Sequence, residues 1–168
     1  MTEPTAFRWR SLFQGTPLSI RTPRGFAALV LRLGSVAILV LIGYIHLHLW
    51  QEGYRQIPTD GPMFLVDALA AFGLAAVLLA WARPVVGLLA AGFAAGTLGA
   101  LLISLSVGLF GFRESIQASY VVESIAIEAI VTAVLVGWTI LVALPLAGRA
   151  RIGRAAATAP AGQARRRI

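Results

Sequence analysis

Four long apolar stretches, separated by short polar segments, make up most of the chain. An apolar run of about 20 residues is long enough to cross the hydrocarbon of a bilayer as an α-helix. The pattern therefore predicts an all-α fold, an integral membrane four-helix bundle. The predicted spans are residues 26–50, 63–82, 85–111 and 117–147.

The polar segments between the spans contain residues that end helices. Residues 51–62 hold two prolines and two glycines, which is typical of a loop. Arg83-Pro84 ends the second span and begins the third, since proline suits the first turn of a helix. A short link, residues 112–116, joins the third and fourth spans. Six aromatic residues fall near these two connections and predict an interfacial belt: Tyr44, Trp50, Tyr54, Phe110, Phe112 and Tyr120.

Composition supports a membrane location. The chain is 58% hydrophobic and 12% charged, whereas soluble domains carry roughly a quarter charged residues. It has no cysteine, which excludes a disulfide framework and a thiolate metal site. The net charge of +7 does not indicate nucleic acid, because the arginines lie at the ends of apolar segments. The expected partner is the lipid bilayer, together with other membrane proteins or a second copy of the chain.

Arginine placement predicts the orientation. Twelve of the 14 basic residues lie up to Arg32, in the 82–84 turn, or after residue 147. By the positive-inside rule these segments face the cytoplasm, so both termini are predicted to be cytoplasmic in the plasma membrane. The basic segment 1–25 is expected to lie on the membrane surface or to form a loose tail. The basic tail 148–168 is expected to be disordered.

Small residues predict how the third span packs. In lipid, helices associate where small residues let their backbones approach. One ridge of this kind is Gly92, Gly96 and Ala100, and a second is Gly87, Ala91, Ala95 and Gly99. We expect neighbouring helices of the same chain to pack on these ridges. A homodimer through Gly92 and Gly96 is the alternative.

Ionisable residues inside predicted spans are the candidates for function, because placing a charge in the bilayer centre costs about 2.5–3.5 kcal/mol on insertion scales. Three helices contribute them, and in the predicted topology all lie in the outer half or near the midplane. Imidazole and carboxylate together are ligands for zinc, copper or manganese. The candidate metal ligands are His46, His48, Asp67 and Glu123, and the candidate proton relay is Glu128.

Each candidate also has a structural interpretation. His46 and His48 point about 200° apart in a continuous helix, so they cannot bind one ion there. His48 would then pair with Glu52, and His46 would face the bundle. Glu128 would be a protonated acid bonded to a hydroxyl one turn away, at Ser124 or Thr132.

Known catalytic motifs are missing from the sequence. It contains no glycine-rich phosphate loop, no G-x-S-x-G nucleophile and no H-E-x-x-H zinc motif. An enzyme is therefore not the expected class. A divalent metal is the one cofactor that the residues suggest.

Four motifs stand out between Tyr44 and Glu114: His46-Leu47-His48-Leu49, Gly53-Tyr54-Arg55-Gln56-Ile57-Pro58, Gly61-Pro62-Met63-Phe64-Leu65 and Gly108-Leu109-Phe110-Gly111-Phe112-Arg113-Glu114. With these motifs, the stretch resembles a group of uncharacterised four-span actinobacterial membrane proteins, and the layout is loosely similar to that of DoxX-like four-helix proteins. The resemblance implies the four-span architecture and no particular activity.

Two functions follow as hypotheses. The first is a structural or accessory membrane subunit that acts through helix contacts and performs no chemistry. The second is an outward-facing polar site that handles a metal ion, protons or a small molecule. Convergence of the ionisable side chains on one cavity would favour the second.

The predicted orientation can be tested with single cysteines, because the natural chain has none. A cysteine at Gln56 should react with a membrane-impermeant thiol reagent in intact cells. A cysteine at Thr158 should react only after permeabilisation. Labelling of position 56 from the cytoplasmic side alone would reverse the orientation.

Overall fold

Residue 13 and residues 20–157 are described by the computed structural model of the protein. Four α-helices account for most of these residues, and each contains a stretch long and apolar enough to cross a membrane. The prediction of an all-helical, four-span chain is confirmed for this part of the sequence. The helices are α1, Pro23–Glu52; α2, Asp60–Ala80; α3, Pro84–Ser106; and α4, Val121–Ala157.

Local sequence explains where two of the helices begin. The Thr22 hydroxyl accepts a hydrogen bond of 3.0 Å from the Gly25 amide, and Pro23 occupies the first turn of α1. Such a cap satisfies an amide that has no partner within the helix. Pro84 likewise begins α3 directly after the extended residue Arg83, because its missing amide is no loss in a first turn.

The helices form a ring in the order α1, α2, α3, α4, and α4 closes the ring on α1. The closest pairs are the hairpin neighbours, α1 with α2 and α3 with α4. Alanines on α2 and α3 face larger side chains on α1 and α4, which allows the backbones to approach. The most deeply buried residues include Leu39, Ala71, Leu78, Ala90, Ala94, Leu135 and Trp138.

Of the two small-residue ridges on which neighbours were expected to pack, the structure packs one closely at Gly87 and leaves the glycines of the other open. A Cβ atom added to Gly87 would lie 2.3 Å from the Thr139 hydroxyl and 2.7 Å from the Trp138 ring. No described atom would lie within 4 Å of a Cβ atom at Gly92 or Gly96. The spacing of small residues does not by itself show which face of α3 packs against α4. The Trp138 ring lies against the face that carries Gly87, and that face is the packed one.

Arg32 is half-buried, and its guanidinium group contacts the end of α2. Its Nε donates to the Leu78 carbonyl at 2.8 Å, and its guanidinium also donates to Leu79. These carbonyls belong to the last turn of α2, which carries no basic residue of its own. Arg32 therefore supplies the positive charge that favours a helix C-terminus. At the same end of the bundle, Arg24 donates to the Leu141 carbonyl at 3.4 Å.

The connection between α3 and α4 is longer than predicted. It runs over residues 107–120, not 112–116, because α3 ends at Ser106. Leu109 and Phe112 pair across a two-residue turn whose central residues, Phe110 and Gly111, have φ angles of 50° and 86°. Two left-handed residues are characteristic of a tight hairpin turn. The apolar side chains here made the segment look helical in the sequence.

The fourth helix extends beyond its predicted end at residue 147 and continues to Ala157. The first part of the tail predicted to be disordered is therefore helical. Residues 158–168, and residues 1–12 and 14–19 of the N-terminal segment, lie outside the described residues, so the predictions for them stay untested.

The packing of α3 predicts opposite outcomes for one substitution at two glycines. Gly87→Ala should lower the melting temperature, because the new methyl group meets the buried Trp138 ring. Gly96→Ala should leave the melting temperature unchanged or raise it, because alanine favours a helix by up to about 1 kcal/mol over glycine. Thermal unfolding in detergent measures both. Equal melting temperatures would show that Gly87 is not at the packed face.

Candidate functional site

A cavity of about 90 Å³ lies at the end of the bundle that carries the connections 53–59 and 107–120, which we call the loop end. A buried water needs roughly 10–15 Å³, so the cavity holds several waters or one small solute. All four helices and both connections contribute to its wall. Ser119 and Tyr120 are exposed at its rim, and they mark where it opens.

Three of the ionisable residues singled out in the sequence line this cavity: His46, Asp67 and Glu128. Asp67 and Glu128 each lie seven residues after the first residue of their helix, and His46 lies six residues before the last residue of α1. At 1.5 Å per residue, all three are about 10 Å from the loop end of their helices. The antiparallel arrangement thus brings them to one depth.

The His46 ring has a fixed orientation. Its Nδ1 lies 2.9 Å from the Ile42 carbonyl oxygen, and Nε2 lies 4.0 Å from an Asp67 carboxylate oxygen. Because a carbonyl only accepts, Nδ1 carries a hydrogen, and Nε2 is the nitrogen that faces Asp67. At 4.0 Å the two side chains are too far apart for a hydrogen bond, so their contact is electrostatic.

Glu128 is the most deeply buried of the three, at 2% exposure. Its carboxyl group approaches the Thr97 side chain and the Asp67 carboxylate, and its Oε2 has no hydrogen-bond partner among the described residues. The sequence suggested a bond from Ser124 or Thr132. Thr132 instead donates to the backbone carbonyl of Glu128 at 2.7 Å. An acceptor that is buried without a donor is costly, so a donor within the cavity would stabilise this oxygen.

His48 and Glu123 do not take part in this cluster. His48 pairs with Glu52 at 3.3 Å, as its i, i+4 spacing predicted, and its ring stacks on Tyr44. Glu123 is exposed and does not line the cavity. Within residues 20–157 no three His, Asp or Glu side chains are grouped so as to hold a metal ion. Of the four candidate metal ligands, the structure therefore brings together two, His46 and Asp67.

Tyr54 and Glu114 join the two connections above the cavity. The Tyr54 hydroxyl donates to Glu114 at 2.6 Å, and Glu114 also accepts from the Ser115 amide at 2.9 Å. Burial, this hydrogen bond, and the negative charges of Glu114 and Asp60 raise the pKa of Tyr54. The phenol therefore stays protonated as a donor, and the bond closes part of the cavity mouth.

Sequence reasoning did not single out several polar residues of the wall, among them Asp60, Thr97 and Glu114. Asp60 and Glu114 were assigned to loops, and Thr97 is uncharged in an apolar helix. Asp60 is 8% exposed, and its Oδ2 has no partner in the described part of the chain. One signal was present, since Glu114 belongs to a stretch that carries the family resemblance.

Several aromatic residues expected to form an interfacial belt instead face the cavity. Tyr54, Phe112 and Tyr120 line it, together with Phe64 from α2. The Tyr54 ring centroid lies 4.4 Å from that of Phe64 and 6.1 Å from that of Phe112. Of the predicted belt, Tyr44, Phe110 and Tyr120 are the exposed members, at 56%, 61% and 39%.

The cavity is closed on its inner side. Beyond Glu128 the bundle interior is filled by Leu39, Leu78, Leu135 and Trp138, none more than 1% exposed. Among the residues that the structure describes, none beyond this depth lines the cavity, so the arrangement is a pocket at one end of the bundle.

Fold and site together define a class, a multi-pass, four-helix membrane protein with a polar pocket at one end of the bundle. Comparison with protein-family models, with curated proteins and with solved structures finds no match to the chain. The resemblance to four-span actinobacterial proteins accordingly stays a prediction.

The Tyr54–Glu114 bond predicts how stability changes in alkali. A phenol whose pKa is raised on folding stabilises the fold below its unfolded pKa of about 10, and that contribution is lost as the pH rises through the folded pKa. Unfolding temperature should therefore fall above about pH 10 in the natural protein, and this fall should be smaller in Tyr54→Phe. Tyr44→Phe, at an exposed tyrosine, is the control. Identical alkaline profiles for all three proteins would contradict the assignment.

Proposed function

We propose that this protein binds a small polar ligand in the pocket at the loop end of the bundle. Of the two hypotheses raised by the sequence, the one with a polar site is favoured by the geometry. The ligand would enter beside Tyr120 and contact His46, Asp67 and Glu128.

The observation that carries this proposal is the convergence of three ionisable side chains from three helices on one cavity. Ionisable residues within membrane helices are expensive and usually functional. A purely structural role would be expected to satisfy them within the bundle. Glu128 Oε2 instead faces the cavity without a partner in the described residues.

The other hypotheses account for less of the geometry. A proton pathway across the membrane needs a polar route past Leu135 and Trp138, where the core is packed. A metal site needs a third ligand near His46 and Asp67, which the described residues do not supply. The accessory-subunit hypothesis accounts for the exposed glycines of α3 but gives the cavity no role.

The orientation and the membrane belong to the proposal. The arginine-rich end would face the cytoplasm, by the distribution of basic residues. The pocket would then open to the outside of the plasma membrane, and its ligand would come from the extracellular or periplasmic solution.

Access to the pocket can be measured with two single-cysteine variants. Ser124→Cys, in the pocket wall, should react with a small water-soluble thiol reagent. Ala94→Cys, on a residue that is 0% exposed in the core, is the matched control and should stay unreacted. If the two cysteines react equally slowly in folded protein, the pocket is closed to water and the proposed function is wrong.

A further inference from the structure

Acidic groups predominate among the ionisable side chains of the pocket wall. Four carboxyl side chains line it: Asp60, Asp67, Glu114 and Glu128. In the described part of the chain, His46 is the one basic side chain in the wall. The arginines of the two nearby connections, Arg55 and Arg113, are exposed and do not line the pocket. Even with a charged imidazole, acidic groups outnumber basic ones.

Two of these carboxyl groups have a free acceptor. Asp60 Oδ2 and Glu128 Oε2 are buried, on residues 8% and 2% exposed, and neither has a hydrogen-bond partner among the described atoms. The other two groups are occupied, Glu114 by Tyr54 and Asp67 by its charge contact with His46. Unpaired buried acceptors that repel one another are stabilised by a positive ligand and destabilised by a negative one.

Four aromatic residues also line the pocket, among aliphatic and hydroxyl-bearing side chains. The rings of Tyr54, Phe64, Phe112 and Tyr120 surround the same space. Since the Tyr54 hydroxyl is already bonded to Glu114, its ring is what remains for a ligand. The faces of aromatic rings carry partial negative charge and attract a cation within about 6 Å. Because apolar and aromatic side chains form the larger part of the wall, the pocket suits an organic cation better than a hydrated metal ion.

The volume of the pocket limits the size of the ligand. A cavity of roughly 150 Å³ accepts benzene, and this pocket measures about 90 Å³. It therefore has room for a ligand of a few non-hydrogen atoms, or for the cationic head of a larger one that extends past Tyr120.

From these observations we infer that the ligand is a small organic ammonium ion, held by carboxyl groups of the pocket wall, Glu128 above all, with aromatic rings beside it. This inference rests on the proposed function, because it assigns a ligand class to the same pocket. The carboxylates supply the charge, and the rings exclude water from the alkyl groups of the ion.

Matched probes test the ligand class in purified protein. Tetramethylammonium and tert-butanol have the same number of non-hydrogen atoms and a similar shape but differ in charge, and acetate supplies the opposite charge. Calorimetric titration at constant ionic strength should show tetramethylammonium binding at least about ten-fold more tightly than tert-butanol, and no binding of acetate. Comparable binding of tert-butanol, or preference for acetate, would overturn the ammonium assignment and leave a ligand pocket in place.

A pair of substitutions locates the binding. Glu128→Gln keeps the shape of the side chain and removes its charge, so it should weaken tetramethylammonium binding by about ten-fold or more. Glu123→Gln, in the same helix but outside the pocket, should leave binding unchanged. Equal affinities in the two variants would place the ion elsewhere and overturn the inference. If Glu128→Gln fails to fold, the probe selectivity of the natural protein still decides the ligand class.

The outcomes also separate this inference from the proposed function. A reactive Ser124→Cys with no tetramethylammonium binding overturns the ammonium ligand alone. An unreactive Ser124→Cys, together with no binding of any probe, overturns both.

Discussion

A carboxyl group within the apolar part of a membrane bundle must find its partners inside the protein or in what the protein binds. Glu128 is such a group, 2% exposed and about 10 Å from the loop end of α4. Around it the bundle provides Thr97, Asp67 and a cavity rather than a complete set of donors. The loop end is built in keeping with the need of this carboxyl group for polar partners, because every helix contributes polar atoms near its depth.

The opposite end of the bundle is organised by packing and by helix termini. The Trp138 ring fills the space beside Gly87 and thereby sets which face of α3 meets α4. Arg32 reaches from α1 to the last carbonyls of α2 and removes the need for a basic residue there. A tightly packed half therefore supports a half that contains a cavity. This division allows a membrane protein of this size to keep a polar pocket without losing its fold.

The helices could be predicted because hydropathy fixes the spans, and the antiparallel order placed His46, Asp67 and Glu128 in the same half of the bundle. Whether they share one cavity depends on how each helix is rotated, which the sequence left open. The angular spacing of Glu123 and Glu128, five residues apart, also showed that both could not face one point closely. Other features depend on contacts distant in sequence. The Tyr54–Glu114 bond joins residues on two different connections, and nothing in either segment alone indicates the other. The choice between the glycine ridges required the position of Trp138, and the end of α3 at Ser106 was hidden by the apolar residues that follow it.

The division of the pocket between two helical hairpins has a consequence for assembly. His46 and Asp67 belong to the hairpin of α1 and α2, whereas Thr97 and Glu128 belong to the hairpin of α3 and α4. Contacts between neighbours in sequence form before distant ones, because less chain entropy is lost in closing a short loop. Each hairpin can therefore form while the pocket does not yet exist, and the pocket arises only when the two halves dock. A bound ligand would then contact both hairpins at once. It would slow their separation without raising the stability of either hairpin alone.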